Sequence, residues 1–217
     1  MKKIMFNDKY GLTEAVLKGC KTQTRRILNP TILFERLETY DEWGKEDVAE
    51  WKRSCVKRLY AAEGEKLKAM LDYALTHSSY NVGEKVAIAQ SYETITQKED
   101  WVGKLLREDK AGWKNKMFVK AYLMPNHIRI NKVRIERLQD ISEDDCLSEG
   151  IKEIYGTSSD GLDEFCGYTF LPDASPSPAH CYCKAQEAYA ALVDKLYGKG
   201  TWESNPYVYV YEFNNKY

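Results

Sequence analysis

Apolar positions along the chain follow two periods, and the switches between them mark the elements. Lys3 to Phe6 predicts a short first strand. Leu12, Ala15 and Val16 recur at helical spacing over residues 12–18, with Thr13 as the expected N-cap and Gly19 as the stop. Residues 22–28 predict a strand that ends at Asn29-Pro30. Val48, Trp51, Cys55 and Leu59, then Leu67, Met70, Leu71, Ala74 and Leu75, keep helical spacing on either side of a break near Gly64. This predicts a helical hairpin over about 41–78, inserted beside a sheet. Val82 to Tyr92 and Lys116 to Leu123 have strand character, with a weaker helix over 96–110 between them.

The clearest strand runs from His127 to Leu138. Ile128 and Ile130 alternate, and then Val133 and Ile135 alternate on the opposite parity. Such a phase switch at Asn131-Lys132 predicts a bulge or sharp bend, as a curved sheet requires. Ser142 is placed to cap a short helix that Gly150 stops. Residues 155–183 hold Gly, Pro, Ser and Asp without a period and predict a long loop. A helix over 185–197 and a last strand from Tyr207 to Phe213 complete the chain. Short strands of mixed spacing, interrupted by helices, predict an α+β fold in one domain spanning 1–217, not a doubly wound sheet.

Composition narrows the class. Hydrophobic residues make up 43% and charged residues 30% of the 217, which excludes a disordered or low-complexity chain. No apolar run approaches the ~20 residues of a membrane helix. No apolar stretch of about 7–15 residues follows Lys2 and Lys3, so a secretory signal is not expected and six cysteines predict reduced thiols in a cytoplasm. The net charge of −1 is unevenly spread. Residues 1–30 carry seven bases against two acids, and residues 101–137 carry ten against three. These blocks predict a local anion-facing surface, with pairing to the acidic blocks at 31–100 and 138–217 as the competing outcome.

The densest polar cluster is Gly19-Cys20-Lys21-Thr22-Gln23-Thr24-Arg25-Arg26. Gly19 permits a left-handed turn. Arg25 and Arg26 supply forked donors for phosphate or carboxylate. Cationic neighbours disfavour the charged form of Lys21, which suits a general base, although the end of the preceding helix favours it. Glu149 ends its short helix, near Asp144 and Asp145. There the helix dipole and the like charges disfavour a carboxylate, which suits a group that gives and takes a proton. Both segments also have plain readings: a solvated basic face, and an exposed glutamate before a glycine cap. Tyr92, Tyr209, Trp202 and Asn205 are candidate cleft residues, Tyr92 lying just before Glu93. Cys166, His180, Cys181 and Cys183 lack the usual zinc spacing, so no metal is expected. Cys20, among basic neighbours, is a lesser nucleophile candidate.

The run GCKTQTRR resembles the signature of the ASCH domain family of the PUA-like superfamily, Gly-x-Lys-x-x-Glu-x-Arg. Gly19, Lys21 and Arg26 match it, and Thr24 stands where many members have Glu. NVGEKVAIAQSYET, which leads to Glu93, IRINKVRIERLQDISEDDCLSEGI and NPYVYVYEF resemble further segments of that family. The hairpin at 41–78 and the loop at 155–183 have no counterpart in its minimal form. The pattern is similar to phage-type or prophage-type members. The resemblance implies a PUA-like mixed β-barrel with short helices, and a cleft that binds RNA or a nucleoside through Gly19, Arg25, Arg26, Tyr92 and Glu93, without a cofactor. One branch comprises small N4-acetylcytidine amidohydrolases, whose catalytic Lys, Thr and Glu fall here on Lys21, Thr24 and Glu149. Three functions compete: RNA or modified-nucleoside binding, removal of the N4-acetyl group, and a non-catalytic interaction role in a mobile element with residues 41–78 as partner surface. In the enzymatic reading Lys21 and Thr24 share one site, which requires the chain to turn or bulge between them, because residues 21 and 24 of a straight strand point to opposite faces.

Overall fold

The structure is a computed structural model and describes residues 1–33, 48–96, 111–157, 164–172 and 181–215. Five strands form one mixed sheet: β1 (Lys3–Ile4), β2 (Gln23–Ile27), β3 (Lys85–Ile88), β4 (His127–Arg137) and β7 (Tyr207–Asn214), in the order β1-β3-β4-β7-β2. Among the described strands only β1 and β3 run parallel. A separate antiparallel pair joins β5 (Lys152–Thr157) and β6 (Glu164–Thr169). The helices are α1 (Leu12–Leu17), α2 (Val48–Tyr60), α3 (Gly64–Thr76), α4 (Tyr92–Thr96), α5 (Glu143–Ser148), α6 (Ala185–Tyr197) and α7 (Thr201–Ser204). The chain is thus α+β. Among the described residues β1 and β2 remain the two sheet edges, with no ladder between them to close a barrel. No described helix is long and apolar enough to cross a membrane.

Strand β7 lies between β4 and β2, so both of its edges are paired, and Val208 to Tyr211 are all buried, so both of its faces are covered too, which is why YVYVYEF is almost continuously apolar. The expected irregularity in β4 falls between Ile130 and Lys132. An extra residue there changes the parity, so Ile128 and Ile130 before it and Val133 and Ile135 after it all pack on the main core. The same change gives Arg134 and Glu136 to the opposite face. The helical hairpin is bound into this core: Cys55, Leu59 and Ala74 are fully buried in it, and the Tyr209 hydroxyl donates to the Ala74 carbonyl at 2.9 Å. Its apolar stripe is therefore used internally.

Four expectations are corrected. Residues 116–123 form two 3-10 turns instead of a strand; Met117, Phe118 and Tyr122 are exposed, and only Val119 is buried. Strand propensity without a face to cover does not produce a strand. The strand at 82–92 shrinks to Lys85–Ile88, because Gly83 turns the chain and Tyr92 opens α4. The expected loop at 155–183 contains the β5–β6 pair, whose pairing rests on backbone bonds with Tyr155 in solvent. Thr13 does not cap α1, which starts after Gly11. The Thr13 hydroxyl instead donates to Asp8 Oδ1 at 2.5 Å. Ser142 caps α5 as expected, accepting from the Asp145 N–H. The helix expected at 96–110 and the start of the hairpin at 41–47 lie outside the described residues.

Candidate functional site

Gly19 leaves α1 with φ of +79°, a left-handed turn that favours glycine. The N–H groups of Cys20 and Lys21 both bond the Ala15 carbonyl, and that of Thr22 bonds the Ser148 carbonyl. Residues 20–22 are therefore pinned to α1 and to the end of α5 before β2 begins at Gln23. Lys21 thus stands outside the regular strand, and the side chains of Lys21 and Thr24 escape the opposite-face rule.

Lys21 and Glu149 meet in the interior, with side chains 2% and 5% exposed. The ammonium donates to Glu149 Oε2 at 2.5 Å and to its carbonyl at 2.7 Å. Glu149 is the C-cap of α5. The next residue, Gly150, has φ of +102°, a conformation that favours glycine, while a Cβ there would make only ordinary contact, 3.7 Å, with the Lys21 stem.

Arg25 organises the rest. All five of its N–H donors are assigned. Nε and Nη2 reach Glu136 Oε1 at 3.0 and 2.6 Å, and Nη2 also reaches Asp145 Oδ2 at 2.7 Å. Nη1 reaches Glu149 Oε1 at 3.1 Å and Gln23 Oε1 at 3.3 Å. Arg134 joins from β4, donating to Glu136 at 2.8 Å, to Asp145 at 2.8 Å and to Glu212. Register explains the gathering: Arg25, Val210 and Arg134 are aligned across three neighbouring strands. The result is a network of Lys21, Arg25 and Arg134 with Glu136, Asp145 and Glu149.

Burial pushes the Lys21 ammonium below its ordinary value; the Glu149 carboxylate opposes this, and Arg26 and Arg25 reinforce it. Burial works against ionisation of Asp145, yet the bonds from Arg25 and Gln23 hold it below the usual carboxylate range. Burial, reinforced by the Glu149 charge, pushes the Tyr189 phenol well up, so it stays a neutral wall.

A hollow of about 410 Å³ opens on this network. Lys21, Thr24 and Glu149 all line it, with Arg26, Phe6 and Tyr197 among the other walls. Residues 5–8, which follow β1, and residues 24–26 of β2 both line it. Arg26 links the two segments, donating to the Met5 carbonyl at 2.5 Å, with its guanidinium 5.9 Å from the Phe6 ring centre. The Thr24 side chain is buried, and among the described residues no group hydrogen-bonds its hydroxyl.

The candidate residues thus separate. Lys21, Thr24, Glu149, Arg25 and Arg26 border one cavity. Arg25, expected to bind substrate, has no donor left for it. Tyr92 and Glu93 lie on α4, where Tyr92 packs with Val119 and Met124 in a second apolar cluster, and neither lines the cavity. Trp202 packs edge-on against Tyr189, and Asn205 accepts from the Gln139 N–H, both away from the lining. Cys20 is exposed. Among the described residues no group of three His, Cys, Asp or Glu side chains is placed to hold a metal, and His180 lies outside them. Arg134 and Glu136 were not singled out in the sequence, and Gln23 and Asp145 stood there only as neighbours of Lys21 and Glu149. The parity of β4 beyond its bulge is the signal that places Arg134 and Glu136 on the site's face. No protein-family model, curated protein or solved structure matches the chain.

Proposed function

We propose that the chain is an ASCH-like protein with a PUA-like arrangement of its sheet, and that its cavity binds a nucleoside carrying an N-acyl group and hydrolyses that group. N4-acetylcytidine is the test substrate. One observation carries the reading: Lys21, Thr24 and Glu149, from two distant stretches of chain, line a single hollow of about 410 Å³. That volume lies within the range of small-molecule sites.

The Thr24 hydroxyl attacks the acetyl carbonyl, and its proton passes to the Lys21–Glu149 pair. The carbon–nitrogen bond breaks, the pair returns the proton to the departing N4, and cytidine leaves with Thr24 acetylated. Water, deprotonated by the same pair, then releases acetate and restores the hydroxyl. Desolvation of Lys21 favours its neutral, proton-accepting form. Arg25 contributes as a positioning residue by holding Glu149.

Incubation with N4-acetylcytidine, followed by chromatography, is expected to yield cytidine. Thr24→Ala is the sharpest variant, because it removes the nucleophile and leaves the ion network intact. Absence of cytidine from the unmodified protein overturns the hydrolase reading. A second reading, nucleoside or RNA binding without reaction, is favoured by the two bonds that Lys21 already makes to Glu149. It predicts saturable binding of N4-acetylcytidine that Thr24→Ala leaves in place, with no product at any time.

A further inference from the structure

Several of the large apolar side chains that this fold leaves in solvent gather in one place. Met1, Met117 and Phe118 are 62%, 55% and 58% exposed, and all three line a hollow of about 560 Å³ with Tyr80, Val119 and Ala121. Tyr122, the next residue along, is 69% exposed. Apolar side chains scattered singly over a surface need no explanation, whereas a group of them around a depression marks a contact surface.

The chain is tied so that these side chains stay outside. The Lys3 ammonium donates to the carbonyls of Lys116, Met117 and Val119 at 3.3, 2.5 and 2.8 Å. The Lys116 ammonium in turn bonds the Phe6 carbonyl, Asp8 and Thr13. Asn115 caps the first 3-10 turn by accepting from the Met117 N–H at 3.0 Å. Val119 fills the interior position of the segment. With the backbone fixed on both sides of them, Met117 and Phe118 cannot fold inwards without breaking these bonds.

Charge selects what covers the hollow. Its lining contains three lysines and no acidic residue. Lys2 pairs with Glu84 at 3.1 Å, and Lys3 is spent on carbonyls. Lys120 has no ion pair among the described residues, and its ammonium lies 5.8 Å from the Tyr122 ring centre. The surface therefore offers an apolar hollow beside an uncompensated cation. A concave floor receives a single side chain, whereas a bilayer is met by a convex apolar surface. Methionine, unbranched and polarisable, adapts to side chains of different shape. A second copy docked about a twofold axis would set the same basic rim against itself.

We infer that the surface of Met117, Phe118, Lys120 and Tyr122 docks a short segment of a partner protein, in which an apolar anchor residue is flanked by carboxylates. The anchor enters the hollow against Phe118, and a carboxylate meets Lys120. None of these four residues lines the Lys21–Glu149 cavity, so the inference is independent of the hydrolase reading.

Panning a random dodecapeptide display library against the full chain tests it, with the selected peptides synthesised and titrated by fluorescence anisotropy. They are expected to carry one or two large apolar residues and a net negative charge. Phe118→Ala and Lys120→Glu, with unchanged circular dichroism and melting, should each weaken binding roughly tenfold, as truncation of a central contact residue does. Replacing the acids of a selected peptide with lysines should abolish its binding to the unaltered protein and restore binding in part to Lys120→Glu, a rescue that a merely structural lysine does not give. Turnover of N4-acetylcytidine should be the same in these variants as in the unaltered protein, so this inference and the hydrolase reading fail separately. A library that yields no binder overturns the docking surface, as do selected peptides that lack acids or that bind Phe118→Ala as tightly. Tighter binding to phosphatidylserine vesicles than to any selected peptide, or dimerisation that Phe118→Ala abolishes, assigns the surface to lipid or to a second copy and overturns it as well.

Discussion

Replacing Arg25 with methionine tests whether the ion network holds the site together. The side chain is 1% exposed and faces Glu136, Asp145 and Glu149. Removing one partner of a buried ion pair costs about 3–5 kcal/mol, because the charge left behind stays desolvated. Here each carboxylate keeps another cation: Glu149 keeps Lys21, and Glu136 and Asp145 keep Arg134. The lower end, about 3 kcal/mol, is therefore expected. For a chain of this size that is a fall in Tm of roughly 6–12 °C. Arg25→Lys keeps the charge but has three donors instead of five, and should lose about half as much. The loss should also depend on pH. In the unaltered protein Asp145 lies below its ordinary value of 3.8 in the fold, so its contribution is present above that value and is lost as pH falls through the folded value. In Arg25→Met the carboxylates repel one another, protonation relieves them, and the gap to the unaltered protein should shrink from pH 7 to pH 5. Thermal melts at both pH values decide it. A gap below about 1 kcal/mol at pH 7, or one that persists unchanged at pH 5, would show that the network contributes no more than an exposed pair.

Four further outcomes follow from the same packing. The lowered Lys21 means that the unfolded chain holds a proton there which the fold gives up, so stability rises with pH between the folded value and the ordinary 10.5. Lys21→Met should remove that rise, seen as a flatter stability-against-pH curve in alkaline melts; an unchanged curve refutes it. Leu59→Ala should destabilise by about 2–4 kcal/mol in denaturant titration, because Leu59 is buried in the main core. Deleting residues 48–76 should then give an unfolded product by circular dichroism, whereas a folded product would show a separable insertion. In thiol titration Cys20, Cys166 and Cys183 should react in the native state. Cys55 and Cys146 should react only after unfolding, since both are buried and burial pushes the Cys146 thiol up to about 12.

Much of the fold was legible because period and punctuation agreed. The hairpin periodicity, the Ser142 cap and the parity switch in β4 each gave a feature of the right kind in the right place. The failures share a cause. Lys116–Leu123 has strand composition but lies on the surface, and β5 and β6 pair without a strong apolar alternation. In both cases a tertiary partner, or its absence, decided what local pattern could not. At the site, Lys21, Thr24 and Glu149 were visible as residue types in a motif, whereas Arg25 was misjudged for a physical reason. A sequence shows an arginine's charge but not how many of its donors are already occupied.

The extra residue in β4 connects these observations. Without it, Val133 and Ile135 would turn away from the core that Ile128 and Ile130 enter, and the hairpin would lose part of the sheet surface it covers. The same shift turns Arg134 and Glu136 towards Arg25. Glu136 accepts from Arg25, Arg25 holds Glu149, and Glu149 holds Lys21 at the wall of the cavity. One inserted residue thus serves the apolar core on one face and orients the charged network on the other. Deleting Asn131 should therefore lower stability and displace the Lys21–Glu149 pair together. A deletion variant that melts as the unaltered protein does would show that the two faces are set independently.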